Sequence, residues 1–195
     1  CRALAEADAA ASGALYVETA NEPRLIAGVG TYALEVLEEA PDLDVAIVPI
    51  GGGSGACGAC VAGKGVKPDL RVVGVGATGA PAGYHTWVRR EVVSYDRVET
   101  FAEGVATRQP ASLTSAILWR DLDDFRLVDD AAMRRAILTL LETTRMLAEG
   151  AGAAPLAAAH AMRHDLAGRT VCVVLSGGNL TLGALADALA TERPW

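Results

Sequence analysis

Two runs of apolar residues stand out in the pattern of hydrophobic and polar positions along the chain. Val45 to Ile50 and Thr170 to Leu175 are apolar on both alternating faces, a pattern typical of parallel strands covered by helices on both sides. Each run stops at a glycine-bearing loop, residues 51–55 and 176–179 respectively. Three shorter apolar runs predict further strands: Ala14 to Val17, Leu70 to Val75 and Phe125 to Val128.

Helical spacing of apolar residues connects these strands. Two predicted helices have a clear inner face: one from Gly28 to Pro41 with Ala33, Leu34, Val36 and Leu37, and one capped by Asp129 and Asp130 and stopping at Gly150, with Met133, Ile137, Leu140 and Leu141. The other predicted helices cover residues 1–13, 55–62 and 110–119, begin at Pro155, and begin near Leu182. Residues 21–23 are predicted to turn, and residues 79–109 to follow an irregular course over the surface.

The alternation of strands and helices predicts an α/β fold, a three-layer helix–sheet–helix arrangement with a mainly parallel sheet. The two glycine-bearing loops then lie at the carboxyl edge of the sheet, where ligands of open α/β sheets bind. In residues 51–55, the lack of side chains on the glycines exposes the backbone N–H groups. Together with the dipole of the helix that follows, these N–H groups can bind a phosphate even though the loop contains no lysine or arginine. Ser176 presents one hydroxyl, which either caps the final helix or binds a ligand across this edge.

Composition narrows the classes of partner. The 195 residues are 51% hydrophobic, and 17 basic against 24 acidic residues give a formal net charge of -7. Because no basic cluster is present, nucleic acid and anionic membrane surfaces are excluded as partners. No apolar segment approaches the ~20 residues of a membrane helix, and the first residues lack the order of a signal peptide. The sequence therefore predicts a cytoplasmic protein.

Two glycine motifs compete with a simple phosphate loop. Residues 53–58 match the dinucleotide fingerprint, but the next strand ends Val75-Gly76-Ala77, without the acid that would hold a ribose. A dinucleotide oxidoreductase is therefore a distant alternative. Residues 58–64 resemble a Walker A loop, but Gly65 stands where Ser or Thr would bind magnesium, so this match is attributed to chance.

Two pairs of side chains suggest redox or metal chemistry. Cys57 and Cys60 form a CxxC near a helix start, for which small buried thiols are the favoured interpretation and redox chemistry the alternative. His160 and His164 share a helical face, but Ala161 replaces the glutamate of a zinc-protease motif. Surface histidines are the simpler interpretation.

Five segments, in order and with few gaps, resemble the fold-type II pyridoxal-phosphate enzymes, and within them the threonine/serine dehydratase (threonine ammonia-lyase) and serine racemase group. The segments are residues 25–31 (LIAGVGT), 48–55 (VPIGGGSG), 102–106 (AEGVA), 149–154 (EGAGAA) and 174–179 (VLSGGN). They cover most of the chain, from about Leu15 to Leu185, as the C-terminal portion of such an enzyme. The resemblance implies the tryptophan synthase beta-like form of the α/β fold.

The resemblance also implies a cofactor, pyridoxal 5'-phosphate, and residues that hold it. Its phosphate would be bound by Gly51, Gly52, Gly53, Ser54 and Gly55. Ser176 would bond the pyridine nitrogen, and because a hydroxyl is too weak an acid to protonate that nitrogen, prompt loss of a β-hydroxyl is favoured. The implied function is a lyase that converts L-threonine or L-serine into a 2-oxo acid and ammonia by β-elimination. A serine racemase, another β-eliminating enzyme, or a non-catalytic fragment that keeps the phosphate site are the alternatives.

The chain departs from the family pattern at the cofactor lysine and at Gly76, and the resemblance also implies a division into domains. The family's Schiff-base lysine lies upstream, and neither Lys64 nor Lys67 stands in its motif, so no catalytic residue is assigned and the chain alone is expected to be inactive. Residues 1–20 are implied to be the tail end of the small domain, and residues 21–195 an incomplete large cofactor-binding domain. Gly76 stands where many members carry a glutamate for a divalent cation, so no metal is predicted.

Association is expected for a physical reason. If the missing segment contributes strands to the same sheet, this chain by itself exposes strand edges and an apolar face. Beyond a small amino-acid substrate, the predicted partner is either a second copy, in a homo-oligomer, or the missing N-terminal segment.

Overall fold

The computed structural model describes residues 2–195, leaving aside the side chain of Arg2; Cys1, the first residue of one predicted helix, lies outside the described residues. Ten α-helices and four strands are assigned within that range. In chain order they are α1 (Arg2–Ser12), α2 (Pro23–Val29), α3 (Thr31–Glu39), β1 (Val45–Pro49), α4 (Ser54–Gly58), α5 (Lys64–Val66), β2 (Arg71–Ala77), α6 (Ala82–Arg89), α7 (Ser112–Asp121), β3 (Asp124–Val128), α8 (Asp130–Thr144), α9 (Gly150–Ala161), β4 (Val171–Val173) and α10 (Leu182–Thr191). A π-helical segment, Ala59–Gly63, joins α4 to α5 without a break.

The strands form one parallel sheet in the order β3-β2-β1-β4. Register follows directly from the pairing: Ile47 of β1 lies beside Val73 of β2 and Val173 of β4. The central strands β1 and β2 are buried along nearly their whole length. This burial explains why both read as uninterrupted apolar runs rather than as alternating ones.

Each face of the sheet is covered by helices, which confirms the predicted three-layer fold. One core combines Ile47 and Val73 with α8 and α9, where Met133 and Ile137 are fully buried. The other core combines the opposite face with α3, α7 and the continuous helix of residues 54–66. Small residues let α9 lie close against both the sheet and α8.

Three predicted elements differ from the structure where tertiary packing overrides local pattern. Ala14 to Val17 does not form a strand; Leu15 is 73% exposed and the segment pairs with no other strand among the described residues. The irregular course predicted for residues 79–109 contains helix α6, which presents Tyr84 and Trp87 to Phe125 of β3. The turn predicted at residues 21–23 is present at Asn21 but does not extend to Pro23, which begins α2, a helix capped by the carboxylate of Glu22.

The boundary between α8 and α9 was predicted wrongly. Helix α8 ends at Thr144, where Arg145 adopts a left-handed conformation (φ 64°), rather than continuing to Gly150. Gly150 instead begins α9, so Pro155 lies inside a helix and is fully buried. A proline in a helix removes one hydrogen bond and crowds the preceding turn. Burial of the surrounding small residues offsets that cost, a contribution that the local sequence does not reveal.

Candidate functional site

The glycine loop leaves the sheet at the carboxyl end of β1. The N–H of Ile50 still donates to the carbonyl of Val75, at 2.7 Å, and the chain then turns into the helix that begins at Ser54. Gly53 makes this turn with φ 95°, a conformation that residues with a Cβ rarely adopt. The loop therefore ends with backbone N–H groups at the start of a helix, the arrangement expected for an anion site.

Neighbouring elements hold this loop in shape. The hydroxyl of Thr114, buried in α7, donates to the carbonyl of Gly52 at 2.8 Å. The phenol of Tyr32 donates to the carbonyl of Gly55 at 3.1 Å, and burial raises the pKa of Tyr32 well above its usual range, which keeps it protonated as a donor. On the other side, Gly51 packs directly against the backbone of Gly104. Sequence reasoning did not identify Thr114 or Tyr32, because their contacts link segments distant in the chain.

Ser176 stands across a cleft from the glycine loop. It lies three residues beyond the end of β4 and is exposed, so its hydroxyl is free to meet a ligand. The structure brings all six predicted site residues to this one cleft of about 550 Å³, a size that suits a small cofactor. Its lining residues are Val29, Tyr32, Val48, Pro49, Gly51, Gly52, Gly53, Ser54, Gly55, Gly104, Glu149, Ala151, Val174, Leu175 and Ser176.

No lysine or arginine is among the residues that line this cleft. The chain's two lysines are fastened at the opposite, amino edge of the sheet. Lys64 pairs with Asp123 at 2.7 Å, just before β3, and the ammonium of Lys67 donates to the carbonyl of Pro41 at 2.9 Å, before β1. An anion bound here would depend on backbone N–H groups, the helix dipole and neutral hydroxyls such as that of Ser54, with no cationic side chain.

Glu149 is a site residue that sequence reasoning missed. It is half-buried at the N-cap of α9, where its N–H donates to the carbonyl of Gly177 at 3.0 Å. Its carboxylate lies between two glycine backbones: a Cβ added to Gly177 would come within 2.8 Å of Glu149 Oε1, and one added to Gly104 within 3.3 Å. It separates the cleft from a second cavity of about 470 Å³, which also contacts Asn179. The only sequence signal was its place in one of the five family-like segments.

The CxxC pair is not a redox site in this fold. Cys57 and Cys60 are both free and essentially unexposed, and the Cys57 thiol donates to the carbonyl of Thr114. Burial raises the pKa of both thiols to about 12. This result agrees with the favoured interpretation of two small core side chains. His160 stacks on Trp195, with ring centroids 4.1 Å apart, and lines neither cavity.

These buried thiols predict two measurable effects. Iodoacetamide at pH 8 is expected to leave the peptide of residues 25–64 unmodified in the folded protein and to alkylate it fully in urea, since the thiolate is the nucleophile. Because the folded pKa of about 12 exceeds the usual 9.0, the unfolded chain loses these protons first. The contribution of these two thiols to the free energy of unfolding should therefore stay constant at pH values well below 9 and decrease as the pH rises toward 12. Rapid alkylation of the peptide of residues 25–64 in the folded protein would contradict the first of these predictions.

Comparison with known proteins decides the family. Residues 1–177 match the sequence profile of a family described as pyridoxal-phosphate dependent enzymes. The chain belongs to that family. It is 40% identical over 182 residues to an L-threonine ammonia-lyase of Geobacter sulfurreducens, an alignment covering 93% of this chain and 44% of the relative. It is also 33% identical over 180 residues to the catabolic L-threonine dehydratase of Escherichia coli K12, covering 90% of this chain and 54% of the relative.

Solved structures of pyridoxal-phosphate enzymes share the fold. Maize serine racemase superposes with a TM-score of 0.88 at 27% identity, covering 97% of this chain and 59% of that one. The processed form of threonine deaminase isoform 2 from Solanum lycopersicum gives a TM-score of 0.88 at 25% identity, covering 93% of this chain and 51% of that one. The fold class predicted from the sequence is thereby confirmed. The chain spans about half the length of the relatives it matches.

The residues present fit the family's cofactor. The cleft is large enough, its glycine loop offers a bare backbone for a phosphate, and Ser176 lies at the same sheet edge. The predicted absence of a metal remains a prediction. Gly76 itself lies in a tightly packed position, since an added Cβ would meet Phe125 at 3.1 Å and Leu127 at 3.3 Å. Among the residues described, no helix is both long and apolar enough to cross a membrane.

Proposed function

We propose that this chain is the phosphate-binding and ring-nitrogen-binding part of a pyridoxal-phosphate lyase that converts L-threonine or L-serine into a 2-oxo acid and ammonia. The observation that carries the proposal is the single cleft that joins the glycine loop to Ser176. The relatives named L-threonine ammonia-lyase, at 36–40% identity, support the reaction class. In this class the cofactor supplies an electron sink for bond breaking at the amino acid.

The chain's own residues have separable roles in this proposal. N–H groups of residues 51–55 bind the phosphate and so fix one end of the cofactor. The hydroxyl of Ser176 donates to the ring nitrogen and leaves it unprotonated, because a hydroxyl is far too weak an acid to transfer its proton. The carboxylate of Glu149, which lines both the cleft and the second cavity, would attract a cationic group such as the ammonium of an amino acid.

Serine racemization is the second candidate function. The similarity to maize serine racemase covers 97% of this chain, and the same loops would serve either reaction. A non-catalytic fragment that keeps the anion site is the remaining alternative. We also propose, as expectations of the family, that residues 1–20 end a small domain and residues 21–195 belong to the large one. A cytoplasmic, homo-oligomeric protein is proposed on the same basis.

The binding proposal is tested with pyridoxine 5'-phosphate, which has no aldehyde and cannot attach to surface lysines. Its intrinsic fluorescence is titrated with the purified chain, and pyridoxine without the phosphate is the matched control. We expect the phosphate ester to bind at least about 100-fold more tightly, since several charge-assisted bonds are involved. Equal affinity for the two compounds would refute the phosphate site and with it the proposed function.

Replacing Ser176 with alanine tests the second contact. The variant is expected to bind pyridoxine 5'-phosphate about tenfold more weakly, the effect of one lost hydrogen bond. Ser176→Thr keeps a hydroxyl and serves as the control. Since Ser176 is exposed, neither change should alter the urea midpoint. The alternative role of Ser176 as a cap is ruled out, because Thr181 caps the final helix and its hydroxyl accepts from the N–H of Ala184. Unchanged affinity in the alanine variant would show that Ser176 makes no contact with the ligand.

Replacing Thr114 with valine tests the support beneath the glycine loop. Valine keeps the shape of the buried side chain but leaves the carbonyl of Gly52 without its partner. We expect the free energy of unfolding to fall by about 1–2 kcal/mol and the binding of pyridoxine 5'-phosphate to weaken several-fold. Thr114→Ser, which keeps the hydroxyl, should retain most of the affinity. Full binding by the valine variant would show that this tether does not shape the site.

A further inference from the structure

Three hydroxyl-bearing side chains are buried among the described residues, and one of them lacks a hydrogen-bond partner. The Thr86 hydroxyl accepts from the N–H of Val93 at 2.9 Å, and the Thr114 hydroxyl donates to the carbonyl of Gly52. Ser115 is only 4% exposed, yet its hydroxyl bonds to no group in the described part of the chain. Every fully enclosed side-chain oxygen there does have a partner, so the Ser115 oxygen must face an accessible space.

The usual local partner of this hydroxyl is already in use. A serine inside a helix commonly bonds the carbonyl four residues earlier. For Ser115 that carbonyl belongs to Ala111, which accepts from the backbone N–H of Ser115 at 3.1 Å and from the hydroxyl of Thr114 at 3.5 Å. A buried hydroxyl without a partner costs free energy, so the group that satisfies it is sought in the space that it faces.

That space is a small cavity behind the glycine loop. Gly51, Gly52 and Gly53 line both this cavity and the cleft, so the loop separates the two. The cavity measures about 20 Å³, and about 10–15 Å³ is sufficient for one water molecule. Its other lining residues belong to β3, α6, α7 and the segments beside them: Ile50, Gly83, Thr86, Trp87, Pro110, Thr114, Ser115, Leu118, Trp119 and Phe125.

The aromatic part of the lining offers no free donor. The indole N–H of Trp87 donates to the carbonyl of Leu118 at 3.2 Å, and the indole N–H of Trp119 donates to the carbonyl of Thr86 at 2.9 Å. These two bonds connect α6 to α7 in both directions and hold the aromatic rings in place. The polar groups available to a molecule in the cavity are therefore those of α7 and of the glycine loop.

Within the loop, one carbonyl stands out. The carbonyl of Gly52 accepts from Thr114, and that of Gly53 accepts from the N–H of Cys57 at 2.9 Å. The carbonyl of Gly51 has no partner among the described residues. A water molecule can accept from one hydroxyl and donate to one carbonyl at the same time, which neither group can achieve across the cavity by itself.

We propose that this cavity binds one ordered water molecule, which accepts from the hydroxyl of Ser115 and donates to the carbonyl of Gly51. The water site rests on the cavity and on these two unpartnered groups. Its consequence rests on the proposed function. Because a trans peptide is planar, the carbonyl of Gly51 and the N–H of Gly52 point in opposite directions. A water that holds the carbonyl behind the loop therefore directs that N–H into the cleft, and Ser115 becomes a positioning residue of the phosphate site.

A crystal structure of the purified chain, at a resolution that shows ordered solvent, tests the water site. We expect one peak of solvent density within hydrogen-bonding distance of both Ser115 Oγ and the carbonyl oxygen of Gly51. Ser115→Ala removes the hydroxyl, whereas Gly83→Ala fills the space. A Cβ at Gly83 would lie 3.5 Å from Phe125 Cζ and 3.9 Å from Ile50 Cγ2, so the methyl group fits without displacing either residue. The peak should be absent from both variants.

Titration with pyridoxine 5'-phosphate tests the consequence. Ser115→Ala and Gly83→Ala are each expected to bind this ester about three- to tenfold more weakly, the effect of one lost hydrogen bond. Gly83→Ala should not lower the urea midpoint, because alanine favours helix α6. A purely structural role would not weaken binding at undiminished stability. Ser112→Ala, the same change at an exposed position of α7, is the matched control and should bind like the unmodified chain.

Each measurement has an outcome that would overturn the proposal. Absence of solvent density beside Ser115 in the unmodified chain would refute the water site, as would an unchanged peak in Gly83→Ala. Normal affinity in both variants would show that Ser115 does not position the loop. If the unmodified chain fails to bind the phosphate ester, the proposed function is refuted and the positioning role with it, while the solvent density still decides the water site.

Discussion

Replacing Gly51 with alanine is expected to lower the free energy of unfolding by about 3 kcal/mol and to abolish measurable binding of pyridoxine 5'-phosphate. An added Cβ would overlap the carbonyl oxygen of Gly104, so backbone rather than a flexible side chain would have to move. Gly51 lies two residues beyond the end of β1, whose residues are almost completely buried, so the strand cannot move. The loop must shift instead, and its N–H groups lose their common direction. Urea unfolding and the fluorescence titration measure the two effects separately.

Gly65→Ala is the matched control for this substitution. Gly65 lies in α5, and a Cβ there would have no heavy atom within 4 Å. Alanine in that helix should raise the free energy of unfolding by about 0.5–1 kcal/mol, because glycine loses more backbone entropy on folding. If Gly51→Ala were as stable as Gly65→Ala and still bound the phosphate ester, the proposed geometry of the loop would be wrong.

Replacing Gly152 with alanine is expected to weaken binding of pyridoxine 5'-phosphate about thirtyfold, equivalent to about 2 kcal/mol, with little loss of stability. The new Cβ would lie 2.5 Å from the carbonyl oxygen of Gly177. Gly152 belongs to the buried helix α9, whereas the loop after β4 is largely exposed. The overlap is therefore expected to be relieved by movement of the loop rather than of the helix. Its displacement moves Ser176 and breaks the bond that the N–H of Glu149 donates to Gly177.

A helical glycine elsewhere provides the control for this second substitution. Gly183 occupies the first turn of α10, and a Cβ there would meet only Thr181 Oγ1, at 3.9 Å. Gly183→Ala should therefore bind the phosphate ester like the unmodified chain. Should Gly152→Ala also bind normally, the contact between α9 and the Ser176 loop would have no part in positioning the ligand. A large drop in the urea midpoint would instead show that α9, rather than the loop, had moved.

Sequence pattern predicted the strands well, for a reason that the structure makes plain. Parallel strands covered on both faces need apolar side chains at every position, so β1 and β2 are visible in any short window. The prediction was less accurate at β4, which was expected to be a fully buried strand but is only half-buried. The reason is that no strand among the described residues pairs with its outer edge. An apolar run reports what a segment can bury and does not show whether a partner covers it.

Helix boundaries failed where packing outweighs local preference. Pro155 was predicted to begin a helix, since a first-turn proline loses no hydrogen bond. In the structure the helix begins five residues earlier, at Gly150, because α9 gains more from burying small residues against the sheet. The aromatic residues of α6 were similarly misread as an irregular surface segment, although Trp87 packs on Phe125 of β3.

The family, the fold class and the two loops that form the cleft could all be predicted from the amino-acid sequence. Each of these features has a signal within a short stretch of sequence. Glycines indicate a turn or an exposed backbone, and uninterrupted apolar runs indicate strands that are buried on both faces. The support of the glycine loop by Thr114 and Tyr32, and the position of Glu149 beside the cleft, became visible only in the folded chain. The same is true of the two lysines, which lie at the opposite edge of the sheet from the cleft. These relations join segments distant in the chain, and only the packing of helices on the sheet brings such segments into contact.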